Sequence, residues 1–206
     1  MATRIVVTGI GTDVGKTVVS AILTEALKAS YWKPVQAGDL EHSDSIKIQN
    51  WAPSGTILTE AFRLTEPMSP HAAAAIDGVE IGERDLSIPQ VEGNLIIEGA
   101  GGLMVPINSQ GLTYCDVFQK WNLPVVVVSR HYLGSINHTL MTTSLLKQRN
   151  IPVAGLIFVG DEHPTTEEII KTTTQLPIIG RVPIADTISR EFIEEQASRE
   201  EWQTIQ

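Results

Sequence analysis

The chain has 206 residues, 42% hydrophobic and 19% charged, enough for one globular domain with a sizeable core. Its formal net charge of −9 repels phosphate backbones, which excludes a nucleic-acid partner, and no apolar run approaches the length of a membrane span. The single cysteine, Cys115, has no intrachain disulfide partner, and a strand pattern starts within a few residues of Met1, leaving no room for a signal peptide; a cytoplasmic location is expected.

In chain order, Arg4–Thr8 reads as a buried strand ending at Gly9. A helix follows, with Val18, Val19, Ile22, Leu23, Ala26 and Leu27 on one stripe. Tyr31–Val35 is expected to form a short strand ended by Pro34 and Gly38, and Ser45–Asn50 a short helix. The region from Ala52 to Gln90 is the least regular, interrupted by Pro53, Pro67, Pro70 and Pro89; its best helix is Pro70–Ile76. Asn94–Glu98 is a strand expected to stop at Gly99-Ala100-Gly101-Gly102. Leu123–Ser129 and Val153–Val159 are two more β-rich runs, flanking a helix over Ser135–Gln148 with Ser135 as its cap. A later helix near Thr165–Thr174 leads to a short strand at Ile178-Ile179. Segment 186–206 holds six acids and two arginines, −4 of the −9, and reads as a solvated helix face or a fraying, peripheral end. Strands that are apolar throughout predict a mostly parallel sheet covered by helices on both faces. The expected fold is a single three-layer α/β domain over residues 1–206.

Between the first strand and the first helix lies Gly9-Ile10-Gly11-Thr12-Asp13-Val14-Gly15-Lys16-Thr17. Glycines let the backbone curl so that its N–H groups point at phosphate oxygens, and the following helix adds its positive end. Lys16 can neutralise β- and γ-oxygens, and the Thr17 hydroxyl can join magnesium. This is a P-loop, expected to bind ATP with Mg²⁺. The generic pattern has four residues between its glycines, whereas Gly9 and Gly15 enclose five. A glycine-rich turn with a solvated lysine is the competing reading, and further phosphate-site elements weigh against it.

Glu98 follows an apolar strand, where a carboxylate beside the loop can hold magnesium; by itself it could equally be a solvated strand end. Asp44 could supply a further metal oxygen or serve as a helix N-cap, with Ser43 an alternative cap. Lys33, near the end of a buried strand, either finds an anion or faces outward from an edge.

Together these elements resemble the dethiobiotin synthetase family. The resemblance runs through the Gly9–Thr17 loop, Lys33-Pro34-Val35-Gln36-Ala37-Gly38, Ser43-Asp44 and Ser69-Pro70-His71. It continues through Glu98-Gly99-Ala100-Gly101-Gly102, Leu133-Gly134-Ser135-Ile136-Asn137-His138 and Ile179-Gly180-Arg181-Val182-Pro183. The five-residue loop spacing is the family's own. The resemblance implies a P-loop NTPase fold and an ATP- and Mg²⁺-dependent ligase that closes a cyclic urea from 7,8-diaminononanoate and CO₂, through a carbamate and a carbamic–phosphoric anhydride. By resemblance, Asp13, Val14, Gly15, Lys16, Thr17 and Val18 wrap the triphosphate. Thr17, Asp44 and Glu98 carry Mg²⁺. Lys16 and Lys33 hold the carbamate and the transferring phosphoryl group, with Thr12, Gly99, Ala100 and Gly101 lining the reacting centre. The segment Gly134, Ser135, Ile136, Asn137 binds the substrate carboxylate across a homodimer interface; read without the family, it is an ordinary helix start.

Three departures from the family pattern stand out. Ala37 replaces a Ser or Thr that would bond the substrate. Val159-Gly160 stands where an asparagine often reads adenine, so base contacts are limited to backbone and Pro183-Ile184-Ala185, and other nucleoside triphosphates are expected to serve. The stretch from Pro70 to Glu98 is short, reducing the usual helix to Glu83–Gln90. A ParA- or MinD-like switch ATPase is the rival from another class; its early loop lysine is missing from Thr8-Gly9-Ile10-Gly11. An amidoligase would need a further domain, and a non-catalytic module would not need Lys16, Thr17, Lys33, Asp44 and Glu98 together.

Overall fold

The structure, a computed structural model, describes residues 2–205. Its strands are β1 Arg4–Gly9, β2 Ser30–Trp32, β3 Val35–Ala37, β4 Thr56–Ile57, β5 Phe62–Leu64, β6 Leu95–Gly102, β7 Val125–Arg130, β8 Val153–Val159 and β9 Ile178–Val182. Its helices are α1 Lys16–Leu27, α2 Asp44–Trp51, α3 Pro70–Asp77, α4 Tyr114–Trp121, α5 Ser135–Gln148, α6 Pro164–Thr174 and α7 Arg190–Ala197. Seven strands make one parallel sheet in the order β4-β2-β6-β1-β7-β8-β9. Ile5–Val7, Leu95–Ile97 and Val125–Val128 are fully buried, as strands covered on both faces must be. The crossovers β1–α1–β2 and β6–α4–β7 run in opposite directions along the sheet, so right-handed connections place α1 and α4 on opposite faces. Helices α2 and α7 pack on α1, and α6 packs on α5.

Several expectations need correction. The strand expected over Tyr31–Val35 is split: β2 ends at Trp32, and Val35–Ala37 pairs instead with β5 in a separate two-stranded parallel sheet. Pro34 has no N–H to continue a ladder, and the break lets the chain turn away at Lys33. The strand expected to stop at Glu98 continues to Gly102, because Gly9 pairs with Gly102 and keeps the glycine string on the β1 edge. The helix expected over Glu83–Gln90 is only a 3₁₀ turn at Glu83–Leu86, short of Pro89. Helix α4 was not expected, although Thr113 and Asp116 form a reciprocal capping box at its start. The acidic C-terminal segment is no peripheral tail. Ile193, Trp202 and Ile205 are buried, and the Trp202 indole N–H donates to the Gln196 carbonyl at 2.6 Å. Only its charged face is solvated, as the alternation of acids with apolar anchors requires.

Candidate active site

The sheet order reverses direction at β1, and the loops leaving β1 and β6 part there to open a crevice at the carboxyl ends of the strands. A cleft of about 790 Å³ fills this place, floored by the phosphate loop. Gly15 caps α1 in the left-handed region at φ 96°, and Asp13 is left-handed at φ 56°. A Cβ on Gly9 would come within 2.6 Å of the Val14 side chain and 2.9 Å of the Gly11 carbonyl, so the loop's curl demands glycine there. Lys16 folds back over the loop, its Nζ donating to the Gly11 carbonyl at 2.9 Å. Burial, with Lys33 adding to it, lowers the Lys16 pKa to about 8.

The centre of the cleft is a compact set of charges. Glu98 is fully buried, with Thr17 Oγ1 donating to Oε1 at 3.0 Å and Tyr31 Oη donating to Oε2 at 3.0 Å. Lys33 reaches the same place from the turn after β2. Its ammonium donates to Glu98 Oε1 at 3.1 Å and the Gly99 carbonyl at 3.0 Å, and pairs with Asp44 Oδ2 at 2.8 Å. Burial alone would lower the Lys33 pKa, but Glu98 and Asp44 outweigh it and hold the ammonium firmly charged. Burial likewise works against the Asp44 carboxylate, and Lys33 overcomes it, leaving Asp44 below the ordinary aspartate range. The cap of α2 is Ser43, accepting from the Ile46 N–H; Asp44 is the first helical residue, and its carboxylate lines the cleft paired with Lys33 at 2.8 Å and Lys47 at 3.8 Å. Lys33 does not face outward from an edge, and Glu98 is not a solvated strand end.

The remaining expected residues divide. Thr12, Asp13, Val18, Ala100, Gly101 and Ala37 line the cleft, as do Val159, Pro183, Ile184 and Ala185. Gly99 contributes its carbonyl to Lys33, and Val14 is buried beneath the loop. Val159 packs on the loop itself: a Cβ on Gly15 would meet both its γ-carbons at 3.2 Å. Gly160 is already committed, its N–H donating to the Val182 carbonyl at 2.9 Å and its carbonyl accepting from Arg181 at 3.3 Å. Gly134–Asn137 are not brought into the cleft. They start α5, with Gly134, Ile136 and Asn137 exposed and Ser135 buried.

Sequence reasoning missed three contributors. Gln36 accepts from the Asp44 N–H at 3.2 Å and donates to the Gly38 carbonyl at 2.9 Å, fixing the turn that presents Asp44. Arg130, the last residue of β7, lines the cleft and donates to the Asp13 carbonyl at 3.4 Å. Tyr31 stands beneath Glu98. The one available signal for Tyr31 was a polar-tipped aromatic in a strand next to a lysine.

An AAA domain family model matches residues 3–191. The fold is similar to that of a ParA family ATPase from Chlorobium tepidum, with a TM-score of 0.61 at 11% identity over 96% of this chain and 99% of that one. It is equally similar to the cell division ATPase MinD from Pyrococcus furiosus, with a TM-score of 0.61 at 13% identity over 100% of each chain. With the loop and the crevice, these likenesses define a P-loop NTPase fold. At such low identity they carry the fold alone. Sequence relatives go further: this chain is 50% identical to the ATP-dependent dethiobiotin synthetase BioD of Christiangramia forsetii, over 94% of this chain and 93% of that protein. It is 51% identical to the protein of the same name from Rhodopseudomonas palustris, over 94% and 93%, and 43% identical to that of Brucella ovis, over 97% and 94%. The chain belongs to the dethiobiotin synthetase family of ATP-dependent ligases.

Proposed function

We propose that the protein closes the ureido ring of dethiobiotin from 7,8-diaminononanoate, CO₂ and Mg·ATP, through a carbamate and a carbamic–phosphoric anhydride. The observation that carries this reading is Lys33, an ammonium fixed between Asp44 and Glu98 beside the phosphate loop. Each step of such a reaction builds or moves negative charge, so positioned cations are what it needs. The first amine adds to CO₂ and loses a proton, giving a carbamate anion that Lys33 and Lys16 hold from two sides. Its oxygen attacks the γ-phosphorus and the bond to the β-phosphate breaks, releasing ADP. The second amine then attacks the carbonyl carbon, the C–O bond to phosphate breaks and the ring closes with release of phosphate. Asp13 to Val18 hold the triphosphate, Thr12, Gly99, Ala100 and Gly101 line the reacting centre, and Ala37 lies on the substrate side.

The donor set fits a magnesium ion. Thr17, Asp44 and Glu98 offer oxygens only, and the place already stabilises positive charge, since an ammonium sits 2.8 and 3.1 Å from the two carboxylates. Among the described residues no three or more His, Cys, Asp or Glu side chains gather as a cage; two carboxylates plus substrate phosphates is the way Mg²⁺ is commonly held. Bound there, the ion would neutralise charge on the β- and γ-phosphates.

The base would rest on Val159, Gly160 and Pro183–Ala185, which offer little to tell one base from another. The protein would act as a homodimer of single-domain subunits, Gly134, Ser135, Ile136 and Asn137 taking the substrate carboxylate across the interface. An exposed apolar set around α5, including Leu133, Ile136 and Met141, supports such an interface. Among the described residues no helix is long and apolar enough to cross a membrane. The test is incubation with the diamine, bicarbonate and Mg·ATP, reading cyclic urea together with ADP. Phosphate release that ignores the diamine would instead favour a switch ATPase.

A further inference from the structure

Glu98 is fully buried, and its two oxygens meet different surroundings. Oε1 accepts from Thr17 and Lys33, both of which line the cleft. Oε2 points away from them, and among the described residues its one donor is the Tyr31 hydroxyl at 3.0 Å. Tyr31 is itself fully buried on β2, in register with Ile96. Ile96 lies two residues before Glu98 and so on the same face of β6, which lets the phenol run along that strand to the carboxylate.

The last torsion of a glutamate is broad and roughly two-fold, so a carboxylate held at one oxygen only can rotate or exchange its oxygens. Thr17 and Lys33 hold Oε1. Both are also the groups that must turn to the incoming metal and phosphoryl oxygens. Tyr31 sits beneath the cleft, does not line it, and has no such second duty. We propose that Tyr31 is a positioning residue, which fixes Oε2 of Glu98 so that Oε1 stays presented to the divalent cation that arrives with the nucleotide. This rests on the proposed magnesium role of Glu98.

The test is Tyr31→Phe, which removes one buried oxygen and keeps the ring. Binding of ADP is measured by calorimetry with Mg²⁺ and with EDTA, beside a circular-dichroism melt of each protein. Loss of an outer-shell partner weakens metal affinity by about tenfold or more. The expected result is unchanged ADP affinity in EDTA, a Mg²⁺-dependent gain reduced by about tenfold, and a cooperative melt. In the double variant with Glu98→Gln, the gain should fall no further than in Glu98→Gln alone, because the phenol acts through that carboxylate. A lowered melting temperature with the full Mg²⁺ gain would show a merely structural phenol and overturn the proposal, as would losses that add in the double variant. If Mg²⁺ brings no gain even to the unaltered protein, the magnesium role of Glu98 falls and the proposal falls with it.

Discussion

Replacing Lys33 by alanine deletes an ammonium whose side chain is 5% exposed and which serves Asp44, Glu98 and the Gly99 carbonyl at 2.8, 3.1 and 3.0 Å. What remains is a carboxylate with no exposure at all that has lost its cation, and a second, 20% exposed, left with Lys47 alone at 3.8 Å. Deleting one partner of a buried pair costs about 3–5 kcal/mol, and the partial exposure of Asp44 places this case near the lower figure. At about 2.1 cal/mol/K of unfolding entropy per residue, 206 residues convert about 3 kcal/mol into a drop of about 7 °C in melting temperature. The assay is thermal melting of the nucleotide-free protein in EDTA and again with Mg²⁺. The ion should recover part of the loss in the variant, because it can take the ammonium's place between the carboxylates. Ligation should fall by about 10²-fold or more, as when an oriented donor to a developing anion is removed, while nucleotide binding persists. A shift below about 2 °C would refute the burial argument, since that corresponds to under 1 kcal/mol for a chain of this size. Collapse of nucleotide binding in a variant that still melts cooperatively would make Lys33 a phosphate anchor instead.

Other consequences can be checked separately. With Val159 apolar and both polar groups of Gly160 engaged, turnover with ATP, GTP and CTP should agree within about tenfold; strict preference for ATP would sink this account of the base seat. Glu167 binds Arg181, His131 and the His163 N–H; burial opposes its ionisation, but these bonds, led by the one to Arg181, hold its carboxyl below the usual glutamate range. A depressed folded pKa gives stability that is present above the unfolded value of about 4.3 and lost as pH falls through the folded value. The difference in urea midpoint between the unaltered protein and Glu167→Gln should therefore be full at about pH 6 and narrow as pH falls below the unfolded value of about 4.3; a gap that stays constant on acidification would refute it. If the proposed homodimer uses the exposed apolar set around α5, Leu133, fully exposed before that helix, lies in it, so Leu133→Asp should shift sedimentation from dimer to monomer, and an unchanged profile would overturn that placement.

Much of the candidate site was legible because its parts are local. The Gly9–Thr17 loop needs only glycines at a strand-to-helix turn, a lysine and a hydroxyl, all adjacent in the chain. Strands β1, β7 and β8 were legible as continuous apolar runs, and α5 by its length and bounds. The cap of α5 is Gly134 and not Ser135, however, and its buried face carries Ser135, Thr139, Thr143 and Leu146 while Ile136 is exposed. The misses have physical causes. Glycines usually end strands, but Gly99–Gly102 remain in β6 because Gly9 of β1 pairs with Gly102, a fact of pairing and not of propensity. Helix α4 carried a legible capping box at Thr113–Asp116 that hydrophobic periodicity alone passed over.

The sequence by itself determined the fold class, the phosphate loop and the kind of residue each site position holds, because these follow from neighbours along the chain. It could not tell whether Lys33 meets an anion, whether Ser43 or Asp44 caps α2, or what lies behind Glu98. Lys33 and Glu98 are 65 positions apart, and Tyr31 and Glu98 are 67. Only the parallel pairing of β2 with β6 brings them together, and only the break at Pro34 turns Lys33 into the cleft instead of along the sheet. The tertiary structure decided these roles, because the strength of a charge depends on which partners and how much water surround it, and the chain sets that only once folded.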